Sequence, residues 1–156
     1  MKDEAVNMKS SVGFKNESTE SLTRSKTVQK PTGAFIGASW FAMGLGLISF
    51  CIGLWNSDIL LSSKGYYFTI IFFGLFSVIS VQKSVRDKLE GVPVTEIYHG
   101  ISWFVTILSI TLLVIGLWNA NMSLSEKGFF GMAFILALFG AVAVQKNVRD
   151  LKHFRS

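Results

Sequence analysis

Gly53-Leu54-Trp55-Asn56, Leu61-Ser62-Ser63-Lys64-Gly65, Leu75-Phe76 and Val81-Gln82-Lys83-Ser84-Val85-Arg86-Asp87 form a series that the chain repeats. It returns as Gly116-Leu117-Trp118-Asn119, Leu124-Ser125-Glu126-Lys127-Gly128, Leu138-Phe139 and Val144-Gln145-Lys146-Asn147-Val148-Arg149-Asp150. The offset is 63 residues without a gap. Between Gly37 and Asp87 about 22 of 51 aligned positions are identical, including Ser39-Trp40-Phe41 against Ser102-Trp103-Phe104. The chain is a duplicated unit, and the fold is whatever that unit makes twice.

The segments between these motifs say what it makes. Phe35 to Trp55 and Gly100 to Trp118 run for 21 and 19 residues without a charge, enough at about 1.5 Å per residue to cross a hydrocarbon core of about 30 Å. Tyr66 to Val81 and Phe129 to Val144 are 16 residues each, short unless the helix continues into the headgroups on flanking side chains. Lys64, Lys127, Gln82-Lys83 and Gln145-Lys146 stand where long polar chains can snorkel and permit that. Composition agrees: 50% of the residues are hydrophobic and 16% charged, against about 25% charged in a soluble domain. The expected fold is an all-α membrane protein of four transmembrane helices, two parallel-repeat helical hairpins behind a disordered N-terminal tail. Its parts are a tail over 1–33, a first two-helix repeat over 34–88, a second over 97–151 and a C-terminal tail over 152–156.

The tail is rich in Lys, Ser, Thr, Glu and Asn and carries no sustained apolar period, so it cannot offset the entropy of ordering. The first apolar stretch begins after it and is too long for a cleaved secretory signal. The single cysteine, Cys51, lies inside an apolar stretch, which rules out an intramolecular disulfide.

Orientation follows from basic residues. Of the 15 Lys and Arg, only Lys64 and Lys127 fall in the loops 56–65 and 119–128; all others lie in the tail, the middle loop or the C-terminus. By the positive-inside rule both termini and the middle loop are expected in the cytoplasm, with Trp55 and Trp118 as interface anchors on the opposite side. Asn56 and Asn119 are expected to end their helices in the left-handed conformation, and Ser62 and Ser125 to cap the next ones. Gly91-Val92-Pro93 ends the second helix, and Thr95 is placed to cap the third. An even number of spans per repeat puts both copies in one orientation, about an axis along the membrane normal.

The paired Gly-Leu-Trp-Asn, Ser-x-Lys-Gly and Val-Gln-Lys-x-Val-Arg-Asp motifs at this spacing resemble the YiaA/YiaB family of small bacterial inner-membrane proteins, built from a two-helix domain. The resemblance covers roughly residues 34 to 151 and implies a protein of the bacterial cytoplasmic membrane. It implies no activity.

No enzyme is expected. The spans hold no titratable group suited to catalysis. His99 and His153 have no Cys or carboxylate at ligand spacing, so no metal and no cofactor are expected, and His99 reads as an amphipathic side chain at the interface. Ser39 and Ser102 lack the Gly-x-Ser-x-Gly elbow of a nucleophile and read as small hydroxyls between helices. Two stripes of small residues mark expected helix-packing faces: Ser39, Gly46 and Gly53 with Ser102, Ser109 and Gly116, and Gly74, Ser77 and Ser80 with Ala137, Gly140 and Ala143. The large Phe and Ile residues between them are expected to face lipid.

The functional expectation is a non-catalytic structural or interaction protein whose partners are the lipid bilayer, anionic headgroups, itself or another membrane protein, and not nucleic acid. A small-solute or lipid transporter acting as an oligomer is the alternative class, although no Asp, Glu or His lies inside the spans to couple protons. The candidate headgroup or partner site is Gln82, Lys83, Arg86 and Asp87 together with Gln145, Lys146, Arg149 and Asp150. Lys83 with Asp87, and Lys146 with Asp150, are four apart and expected to pair. Anchoring of helix ends accounts for positive charge there, but not for the recurrence of Gln, Arg and Asp in the same order.

Overall fold

The computed structural model describes residues 31–153; residues 1–30 of the tail expected over 1–33, and 154–156 of the C-terminal tail expected over 152–156, lie outside them. The described chain forms α1 (Gly33–Asn56), α2 (Leu61–Leu89), α3 (Glu96–Asn119) and α4 (Leu124–His153). All four are long and apolar enough to cross a membrane. The short apolar cores of the second and fourth spans do continue: α2 has 29 residues and α4 has 30, about 43 and 45 Å of helix.

The connections are those of two hairpins, yet the helices choose partners across the repeats. α1 packs along α4, α2 packs along α3, and α2 meets α4 between these pairs, while contact inside each hairpin is sparse. Glycine explains the first pairing. A Cβ on Gly46 would stand 2.5 Å from the backbone nitrogen of Ala137 and 2.9 Å from the carbonyl of Ala133, so α1 and α4 touch backbone to backbone. Gly140 of α4 lies just as tightly against the backbone of Met43. Close approach of this kind is how helices associate in lipid, where apolar burial supplies no drive. The repeated glycine of Gly-Leu-Trp-Asn does the same work in both copies. Gly53 seats the ring of Phe129, and Gly116 seats the ring of Tyr66.

Between the helices lies a core of Phe50, Leu54, Tyr67, Ile70, Ile71, Leu113, Phe130 and Phe134 with Ala133, Ala137 and Leu138. Phe50 stands edge-on to Phe130, with ring centroids 5.3 Å apart. The small-residue faces lie against other helices at Ser39, Gly46, Ser102, Ser109, Gly74, Ser77, Ala137, Gly140 and Ala143, all buried; Ser80 is half-exposed and bonds the carbonyl of its own Phe76. The large residues divide. Phe68, Phe72 and Phe76 point outward, but Phe130, Phe134, Ile70 and Ile71 are core, because α2 and α4 each meet two neighbours and bury a wider face than one stripe, and Phe50 of α1 is core against Phe130 and Phe134.

The helix ends correct two expectations. Among the described residues no residue other than glycine has positive φ, so Asn56 and Asn119 are not left-handed. The chain leaves α1 and α3 through extended Ser57 and Ala120. Each Asn instead bonds back one turn, to the carbonyls of Ile52 and Ile115, at 3.0 and 2.9 Å. Lys64 and Lys127 complete the ends by donating to the carbonyls of Trp55 and Trp118, which places a cation on a C-terminal dipole. Ser62 and Ser125 are not caps either, because each helix starts earlier, after Leu60 and Ser123. Ser123 and Glu126 form a capping box: the carboxylate accepts from the backbone and hydroxyl of Ser123, whose oxygen accepts from the Glu126 amide. Thr95 occupies the N-cap position of α3 without a side-chain bond. At the end of α2, Gly91 takes φ 74°. Its amide and that of Val92 reach back to Lys88 and Asp87, the Schellman arrangement that favours glycine.

Candidate functional site

The end of the bundle carrying both Gln-Lys-x-Val-Arg-Asp segments is built by the last turns of α2 and α4 lying beside the first turns of α3 and α1. Two polar bridges set the register. Asn147 Nδ2 donates to Ser39 Oγ at 2.9 Å, joining α4 to α1. Ser84 Oγ lies 2.7 Å from His99 Nδ1, joining α2 to α3. Ser84 and Asn147 are 0% and 1% exposed. They are the x of the motif, its one differing position. Around them Gln82, Arg86, Gln145, Lys146 and Arg149 line a cleft and Lys83 faces outward, so the differing residue is the one that bonds the neighbouring helix. Chemistry is matched on each side: the short Ser84 meets the long His99, and the longer Asn147 meets the short Ser39. His99 is therefore half-buried and bonded, not a free amphipathic side chain. Ser102, the counterpart of Ser39, turns back to the carbonyl of Tyr98.

Between these bridges, Gln82 and Arg86 of α2 and Gln145, Lys146 and Arg149 of α4 line one cleft of about 250 Å³, closed on the α1 side by Trp40. Five of the eight candidate residues thus come together. Lys83, Asp87 and Asp150 do not line it: Lys83 is exposed, and Asp150 is buried beside its neighbour.

The expected ion pairs at four-residue spacing are not formed. Asp87 Oδ1 is held by the guanidinium of Arg86, and Asp150 Oδ1 by Arg149 Nε at 3.2 Å. The carboxylates lie against the bundle, where a long guanidinium can bend round to reach them, whereas the Lys ammoniums turn outward toward water. Each Asp therefore fixes the orientation of its neighbouring guanidinium. In Arg149 only Nε is engaged, which leaves its two terminal amino groups without a protein partner among the described residues. Arg86 also lies 3.9 Å from Glu90, and Lys88 bonds Glu96 at 2.9 Å across the middle loop. At the far end of the bundle Trp55 and Trp118 are both 83% exposed.

The sequence motif pointed to the cleft, but not to the Ser84–His99 and Asn147–Ser39 bridges beneath it. The signal for them was present: one position varies inside an otherwise unchanged segment, at the spacing that turns it from water toward a neighbour.

The sequence matches proteins already described. The yiaA/B two helix domain fits the chain twice, at residues 35–87 and 98–150. Over 117 residues the chain is 56% identical to the inner membrane protein YiaA of Escherichia coli K12, a match spanning 75% of this chain and 81% of that protein. It is 29% identical over 103 residues to the inner membrane protein YiaB of the same strain, spanning 66% of this chain and 88% of YiaB. Over 63 residues it is 36% identical to the uncharacterized membrane protein YubF of Bacillus subtilis 168, spanning 40% of this chain and 72% of YubF. No solved structure matches it significantly. With four spanning helices and the two-helix domain present twice, the chain belongs to the YiaA/B family of inner-membrane proteins.

Proposed function

We propose that the protein is a non-catalytic integral protein of the bacterial inner membrane, with both termini in the cytoplasm, and that its basic end recognises the phosphate of an anionic lipid. The observation that carries this reading is the shared cleft, to which Arg86 and Arg149 come from different repeats with Gln82, Gln145 and Lys146 beside them. A guanidinium grips a phosphate through a planar fork, whereas an ammonium acts as a point charge. The Asp neighbours support the reading, since a carboxylate that orients its Arg adds nothing to simple anchoring. In the proposed orientation the cleft lies at the inner leaflet surface, where anionic headgroups are concentrated.

Anchoring requires only positive charge, so it tolerates Arg→Lys; recognition through the fork does not. The test is the double variant Arg86→Lys with Arg149→Lys, purified from native membrane and analysed for bound lipid by mass spectrometry. Hydrogen bonds to charged groups contribute about 1.5–3 kcal/mol, so retention of anionic lipid should fall tenfold or more while insertion and yield stay unchanged. A double variant that keeps its full complement of anionic lipid reduces this end to an anchor.

A further inference from the structure

The opposite end of the bundle holds two clefts related by the repeat. One, of about 620 Å³, lies where the start of α2 meets the end of α3, and Ser63, Tyr66, Tyr67, Gly116 and Asn119 help to line it. The other, of about 360 Å³, uses Glu126, Phe129, Phe130, Gly53 and Asn56, the same five positions moved by one repeat. The duplication supplies its own comparison: what differs between the two clefts is not required by the fold.

They differ in chemistry. The first has two phenols where the second has two phenyl rings. Tyr66 Oη donates to the carbonyl of Leu112 at 2.7 Å. Tyr67 is 3% exposed, and its hydroxyl has no hydrogen-bond partner among the described residues. That hydroxyl lies 3.3 Å from the place of a Cβ on Gly116, another residue of the cleft wall, so it is aimed into this space. The ring is packed away while the hydroxyl opens on the cleft, and phenylalanine at the equivalent position shows that the fold does not demand a polar group there.

The helix starts differ in the same sense. In the second cleft the carboxylate of Glu126 accepts from the backbone and hydroxyl of Ser123 at the first turn of α4, both at 2.7 Å. In the first cleft these positions are Ser63 and Leu60, and α2 begins without a side-chain cap. Its first amides are left at the wall of the cleft with the positive end of a helix dipole behind them. The place that an internal carboxylate fills in one copy is open in the other. Asp58 also lines the open cleft, and among the described residues it has no ion-pair partner.

We propose that the first cleft binds a small zwitterion. Its oxyanion sits at the start of α2 and accepts from the Tyr67 hydroxyl, while its ammonium pairs with Asp58. A plain anion would meet the Asp58 carboxylate and a plain cation the helix start, so the two signs belong on one molecule. The cleft lies at the level of the exposed Trp55 and Trp118, where a phosphoethanolamine head group and a water-soluble zwitterion both have access.

The test uses the full chain in phosphatidylglycerol nanodiscs titrated calorimetrically with O-phosphoethanolamine, alongside a measurement of phosphatidylethanolamine enrichment in mixed-lipid nanodiscs. Saturable binding of the soluble probe is expected; enrichment of the lipid without it would assign the site to the headgroup. Leu60→Ser with Ser63→Glu copies the capping box of α4 into α2. It should abolish either signal by tenfold or more while the protein melts no lower than before, which separates occupancy of the site from misfolding. Tyr67→Phe and Asp58→Asn should each weaken binding about tenfold. The proposal is overturned if neither probe associates selectively with the unmodified protein, if the capped variant binds as well as the original, or if Asp58→Asn binds more tightly, the mark of a site for a plain anion.

Discussion

The amide of Asn147 donates to the hydroxyl of Ser39 across 108 positions of the chain, in a site where both side chains are buried. The Ser39 hydroxyl in turn donates to the carbonyl of Phe35 at 2.7 Å. Asn147 Oδ1 has no partner among the described residues. The bridge is thus saturated on one side and open on the other, and the two ends should respond unequally to deletion.

Ser39→Ala leaves the whole amide of Asn147 buried without a partner and should destabilise by about 1–3 kcal/mol. Asn147→Ala removes one bond but also the unpaired oxygen, and should cost closer to the 0.6 kcal/mol typical of a single polar contact between membrane helices. Unfolding in mixed micelles of increasing denaturing detergent ranks the two. Equal losses, or a larger one for Asn147→Ala, would show that the bridge is not the source of the effect.

Gly44 and Gly46 lie two positions apart and should behave in opposite ways. Nothing lies within 4 Å of a Cβ on Gly44, whereas one on Gly46 enters the backbone of α4. Gly44→Ala should therefore stabilise by up to about 1 kcal/mol through helix propensity. Gly46→Ala should destabilise by about 1–3 kcal/mol through overpacking, and Gly46→Leu by more. Thermal melting of the three variants in one detergent measures the sign directly.

Pairing of helices across the repeats is open to a covalent test. In a Cys51→Ser background, cysteines replacing Ser39 and Asn147, whose side chains meet at 2.9 Å between α1 and α4, should form a disulfide within one chain under mild oxidation. Cysteines replacing Met43 and Phe72, which would link α1 to α2, should not, since Phe72 faces outward. Linked peptides identified by mass spectrometry distinguish the two pairings.

Orientation is tested by access. With Cys51 replaced by Ser, a cysteine at Asp58 or Ser123 should react with an impermeant thiol reagent added to spheroplasts, and one at Gly91 should react only after lysis. Labelling at 91 with silence at 58 would reverse the proposed topology.

Much of this architecture was legible because it is written twice. The four apolar runs and the 63-residue offset leave little choice about helix number and order. Partner choice was not legible, because a stripe of small residues such as Ser39, Gly46 and Gly53 marks the face of a helix that packs but does not name the helix it meets. Cap positions failed for a narrower reason. Asn56 has two local solutions, left-handed backbone or a bond to the carbonyl four residues earlier, and only neighbouring geometry selects between them. The Ser123-x-x-Glu126 capping box was readable in the sequence and lies two residues before the serine expected to cap. At the basic end, charge and repetition pointed to Arg86 and Arg149. The buried Ser84 and Asn147 escaped notice because variation inside a motif reads as tolerance, when here it is adjustment to a different neighbour.

The exchange of helices between repeats has a consequence for how such a molecule can diversify. A unit of this kind on its own would have to finish its bundle with an identical copy, and every substitution would then appear at both symmetry-related places at once. A chain that carries both units is a dimer with its stoichiometry written into the covalent backbone, and the middle loop keeps the halves at high effective concentration. Each half is then free to change singly. Ser84 with His99 on one side and Asn147 with Ser39 on the other, or Tyr67 opposite Phe130, are asymmetries that only a fused pair can hold.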